Sequence, residues 1–164
     1  MDNTERSIRY LFWRKLIFSL TAVSLAYILF IRPVQFTLIH SVVLPFFDTF
    51  LDPNSHIVTE PGKDEFFIYS SKGEFPQVKI EVPFNGYFWL AMSMIWPTKN
   101  SRFKKIIFNY NWALFIIIPL FAFGLLNEYA FLAPLANVHE KVYKALFLIL
   151  GILSVGEADR MLKG

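Results

Sequence analysis

Residues 98–105 read TKNSRFKK, a short basic stretch set between two apolar segments. Lys99, Arg102, Lys104 and Lys105 are basic, and no acidic residue accompanies them. In a membrane protein, short loops of this kind stay on the cytoplasmic side. The side of every other segment follows from this one.

The rest of the composition suits a membrane setting. Mean hydropathy is +0.43 and 55% of the residues are hydrophobic, 19 of them Phe, which is beyond an ordinary soluble domain. The net charge of +3 is not a nucleic-acid footprint, because the basic residues sit at segment ends rather than along one face. No nucleic-acid partner is expected. Cysteine is absent, which excludes disulfides, thiolate metal sites and a thiol nucleophile. The N-terminal region is basic and then apolar, but Ile31-Arg32-Pro33 is a poor signal-peptidase site, so the segment reads as a retained anchor.

Working outward from the basic stretch, four spans are expected, at about 12–31, 83–98, 106–126 and 142–156. Arg6, Arg9, Arg14 and Lys15 precede the first, and Arg32-Pro33 ends it. Pro83 and Trp96-Pro97 bracket the second. The third runs for more than 20 residues without a charge, and Pro119 should kink it. In the fourth, Lys141 and Lys144 have to snorkel outward. Both termini then lie in the cytoplasm.

Residues 32–82 form the expected extracytoplasmic module. The apolar run 34–47 is interrupted by Gln35, Thr37, His40 and Ser41 and broken by Pro45. At about 14 residues it is short for a span. Were it to cross, the basic stretch would face outward, so it reads as an amphipathic helix lying along the outer surface. Residues 65–71 (EFFIYSS) and 75–82 (FPQVKIEV) flank Lys72-Gly73-Glu74, and in the second Val78, Ile80 and Val82 alternate with Gln77, Lys79 and Glu81. This is a β-hairpin with one apolar face. The segments 52–55 and 61–64 carry turn chemistry. The fold class is therefore a membrane all-α bundle of four transmembrane helices with a small outer hairpin and an amphipathic helix.

The chemistry-bearing residues are few. His40, His56 and His139 all fall on the outer side without a close-spaced pair, so neither a metal site nor a cofactor is expected. Asn85, Gly86, Asn127, Glu128, His139 and Glu140 sit at outer span ends, where Asn85, Asn127 and His139 would line a shallow cleft. A His beside a carboxylate can act as base and orienter. Solvation alone also puts polar residues at span ends. Ser41, Ser70 and Ser71 are conceivable nucleophiles, but none has nucleophile-elbow spacing. The expected spans hold no Asp, Glu, Lys or Arg in their cores, which argues against an ion pump or channel.

The order of these features resembles the C-terminal core of the exosortase/archaeosortase family of membrane-embedded cysteine transpeptidases, over roughly residues 34–156. The likeness is one of layout. Where the resemblance would place the nucleophilic Cys stands Phe84-Asn85-Gly86, and where it would place an Arg after Asn127 stands Glu128-Tyr129-Ala130. Only the His has a counterpart, His139. The resemblance implies a relative without the family's chemistry.

Two functional readings follow. The first is a non-catalytic scaffold or accessory subunit of an envelope assembly, export or sorting complex in a bacterial inner membrane. It would contact membrane lipid and other envelope proteins, with Phe46, Phe47, Phe66, Ile68, Val78 and Ile80 of the outer module as partner contacts. The second is a membrane hydrolase or transferase acting through His139, with Glu128 or Glu140 as helper.

Overall fold

In the computed structural model, residues 3–49, 55–59, 65–70, 72–73, 77–98 and 101–162 are described. Residues 52–54 and 61–64 of the expected turns, and Lys99 and Asn100, lie outside them. The elements are α1 (Asn3–Ala26), α2 (Arg32–Leu38), α3 (Leu44–Asp48), β1 (Ser55–Thr59), β2 (Glu65–Ser70), β3 (Val78–Glu81), α4 (Gly86–Ile95), α5 (Ser101–Leu126) and α6 (Leu132–Met161). The protein is mainly helical around a small antiparallel sheet.

Arg32-Pro33 does not end the first helix. α1, α2 and α3 run on as one rod, joined by widened π turns at Tyr27–Ile31 and Ile39–Val43. Pro33 and Pro45 each follow such a turn by two residues. A proline in a helix lacks an N–H and its ring crowds the carbonyl four residues back, here Leu29 and Ser41. The wider turn contains that carbonyl and makes room for the ring, so the helix passes both prolines unbroken. The apolar part of the rod, Arg6–Phe47, is 42 residues long. At 1.5 Å per residue that is about 60 Å, roughly twice a bilayer's hydrocarbon core. The rod and Arg102–Leu126 of α5 are the two helices long and apolar enough to cross a membrane among the described residues.

The other expected spans shift. Residues 82–85 are not helical, and α4 covers ten residues before a 3₁₀ turn at Trp96–Thr98, about 20 Å in all. The last helix begins at Leu132 rather than near 142, because Pro134 falls in its first turn, where a missing N–H is harmless. The basic stretch is mostly helix as well, since Arg102, Lys104 and Lys105 open α5. Pro119 lies inside α5.

The hairpin forms as β2 and β3, with Phe66 opposite Ile80 and Ile68 opposite Val78, and β1 adds an outer strand with Ile57 opposite Ile68. The apolar face is the core of the molecule. Phe66, Ile68, Val78 and Ile80 are buried, packed where β2 meets α5 and β3 meets α6, and Phe47 of the rod joins them. Five of the six residues expected to contact a partner are thus internal, and Phe46 alone is exposed. An alternating strand has one apolar face, and the two helices already cover it.

Candidate functional site: a charged clasp between sheet and helices

β3 ends at Glu81, and three residues later the chain reverses into α4. Phe84 makes the reversal with φ +59°, a left-handed conformation that a bulky residue adopts only under constraint. The constraint comes from both sides. The Phe84 amide donates to Asn111 Oδ1 at 2.9 Å, and Gln35 Nε2 of α2 donates to the Pro83 and Phe84 carbonyls at 3.0 and 2.9 Å. Asn111 is fully buried in α5, so the turn is pinned between the rod and that helix.

Asn85 follows, 1% exposed, and uses its whole carboxamide. Oδ1 caps α4 by accepting from the Tyr87 and Phe88 amides at 3.1 and 3.2 Å. Nδ2 donates to Glu81 Oε2 at 3.2 Å and to Tyr143 Oη at 2.9 Å. The Tyr143 hydroxyl in turn donates to Glu81 Oε2 at 3.1 Å. Gly86 beside it lets the rod close in, since a Cβ there would lie 3.2 Å from the Tyr27 ring.

Glu81 is 8% exposed, a carboxylate that needs partners to stay ionised. Its Oε1 faces Lys144 of α6 and, at 3.3 Å, Lys79. Lys79 also pairs with Glu65 on the neighbouring strand, and Lys144 with Glu140 one turn earlier on α6. The result is a chain of alternating charge, Glu65–Lys79–Glu81–Lys144–Glu140, stitching the sheet to α6. Lys144 points inward to this chain and over the Tyr87 ring at 5.0 Å; the outward snorkelling expected of it does not occur.

The clasp lies at mid-height. α6 exposes Leu135, Val138, Val142, Ile149, Ile152 and Leu153 over about 27 Å of helix, with Tyr143 and Lys144 near the middle. α5 exposes apolar residues from Ile106 to Phe123, and Asn111 lies within that stretch. The sheet supplies Glu65, Lys79 and Glu81 of the clasp and α6 supplies Glu140 and Lys144, with Lys141 exposed beside them.

His139 sits one turn before Tyr143. Its Nε2 is 3.0 Å from Tyr110 Oη, and the Phe121 and Tyr143 rings pack on it at 5.5 and 5.6 Å. With Glu81, Glu140, Lys79 and Tyr143 it borders a void of about 20 Å³, the size of one water. Asn85 and His139 thus both contact Tyr143, Asn85 through a hydrogen bond to its hydroxyl and His139 through ring packing, but Asn85 is buried and does not line an open cleft. Asn127 does not join them: its Nδ2 donates to the Phe123 carbonyl at 2.8 Å and closes the end of α5. Glu128, with φ +60°, turns the chain there and accepts from Ser70 Oγ at 2.7 Å. His40 stacks on Phe36 and His56 on Tyr69, and no three metal-ligating side chains converge among the described residues.

No family model, curated protein or solved structure matches this chain. Its function has to be argued from the site itself. Glu65, Glu81 and Tyr143 carry no site signal in the sequence, and Lys144 reads there only as a lysine that snorkels outward. The one local signal was the Glu140/Lys144 pair at i,i+4, which reads equally well as a solvated helix face.

Proposed function

We propose that this protein is a non-catalytic multi-pass membrane scaffold or accessory subunit of an envelope assembly, export or sorting complex. One observation carries the reading: both oxygens of Glu81 and the whole Asn85 carboxamide are committed to internal partners. A group poised for chemistry keeps a lone pair or proton free for substrate. Asn85 also stands where the exosortase-like layout would put its thiol, and an amide engaged as a helix cap has no nucleophile to offer. The clasp then serves as a fastener. It holds charged strands at the mid-height of an apolar surface, a place where non-helical backbone is tolerated only when protein surrounds it.

In this reading the rod, α5 and α6 traverse a bacterial inner membrane and α4 runs from mid-height to the cytoplasmic face, with the basic 98–105 stretch and both termini on the cytoplasmic side. The partner surface moves from the buried hairpin face to the sheet's outer strand. His56 and Val58 of β1 are exposed, as is Phe46 of α3, and a strand from another envelope protein can add to the β1 edge. Affinity purification from mild detergent tests this. Val58→Arg should remove co-purifying proteins while leaving membrane insertion and thermal stability intact. An unchanged set of partners refutes the assignment of β1.

The void beside His139 favours one alternative, a hydrolase or transferase in which the imidazole activates a water bound there, with Glu140 beside it. It requires that His139→Gln abolish function while the protein remains folded.

A further inference from the structure

The seam between α1 and α4 is not closed. Two cavities of about 460 and 230 Å³ run along it and meet at Val23 and Trp89. They follow the rod from Lys15 to Ile28, about 20 Å, a little more than half the thickness of a bilayer's hydrocarbon core. The walls are apolar, and below the meeting point Ser19 Oγ donates to the Ser93 carbonyl at 2.9 Å, tying the two helices together. Two features break the apolar lining. Lys15 and Trp96 border the lower mouth, and Lys104 Nζ lies 4.4 Å over the Trp96 ring, so two cations flank one opening. Trp89 borders both cavities, and its buried indole N–H meets no acceptor among the described residues. The carboxylates of this end, Glu157 and Asp159, belong to α6, and Asp159 is held by Arg9.

We infer that this seam is a binding site for one anionic glycerophospholipid of the leaflet that faces Lys15. An acyl chain fills an apolar slot one leaflet deep. The phosphate meets Lys15 and Lys104 at its mouth, and the acyl chain runs past Trp89. A zwitterionic lipid fills the slot equally well but brings its own cation to the basic mouth.

The inference rests on the membrane placement proposed above, and the test separates the two. The full chain is reconstituted in phosphatidylcholine vesicles that contain brominated phosphatidylglycerol or, in parallel, brominated phosphatidylcholine. Quenching of Trp89 is taken as the difference between the protein and its Trp89→Phe variant. Each lysine near an anionic headgroup is worth about fivefold in affinity, so the pair predicts a preference of about thirtyfold for the anionic lipid. Quenching should saturate as a single site. The surface variant Lys15→Ala/Lys104→Ala should retain quenching and lose the preference. Equal quenching by both lipids in the unaltered chain, or a preference that survives the double variant, overturns the site while leaving the membrane placement standing. Failure to partition into vesicles at all overturns the membrane placement itself.

Discussion

Replacing Asn85 separates its two jobs. As the cap of α4 it satisfies two backbone amides, and as a donor it satisfies Glu81 and Tyr143. Asn85→Ala removes both. The lost cap costs about 1 kcal/mol, and buried polar groups left short of a donor add about 2 kcal/mol, so the expected loss is about 3 kcal/mol. Asn85→Ser keeps a capping oxygen and gives up only the donors, for about 2 kcal/mol. Asn85→Asp is the decisive case, because Asp caps helices as well as Asn does. It places a second carboxylate where Nδ2 now stands 3.2 Å from Glu81 Oε2. At an effective dielectric of about 20, like charges at that separation repel by about 5 kcal/mol. The expected order of stability is therefore Asn, Ser, Ala, Asp. Reversible unfolding in mixed micelles, followed by circular dichroism, measures it. An Asp variant as stable as the original refutes the clasp, since only the cap would then matter.

Two further outcomes follow from the packing. Lys144→Met should destabilise by about 3 kcal/mol, because it leaves the buried Glu81 carboxylate with Lys79 alone; adding Glu81→Gln should recover part of that loss in the same unfolding assay, and strictly additive losses would show that the two side chains are not coupled. Gly151→Leu should force α6 from α4 at about 1–3 kcal/mol, since a Cβ there would already lie 2.9 Å from Met94 Sδ and 3.4 Å from Ala91 Cα; Gly156→Leu, with nothing within 4 Å, should leave thermal stability nearly unchanged.

How far the fold was legible differs by element. The β2–β3 pair could be read because alternation at Val78 and Ile80 has only one structural meaning, and the register Phe66–Ile80 follows from keeping apolar residues on one face. α5 could be read from length and the lack of charge. The rod could not, because Pro33 and Pro45 are ordinary helix breakers unless a widened turn precedes each, and nothing local in Tyr27–Ile31 or Ile39–Val43 announces one. The covering of the apolar sheet face was equally hidden. Alternation shows that a face is apolar, whereas only the tertiary arrangement shows whether α5 and α6 or another protein lies on it. For the same reason His139 and Asn85 were found as candidates while their common neighbours were not. Glu81, Tyr143 and Lys144 meet across some 60 residues of chain, and each looks unremarkable in its own segment.

The central claim is that this protein acts by holding a partner and performs no chemistry of its own. Complementation of a deletion strain by two variants at matched membrane levels tests it most directly. His139→Gln keeps a hydrogen-bonding group for Tyr110 but cannot serve as a base, whereas Val58→Arg leaves the clasp untouched and blocks the outer strand. The account predicts that the first variant restores the phenotype and the second does not. Loss of function in His139→Gln together with full rescue by Val58→Arg would contradict it.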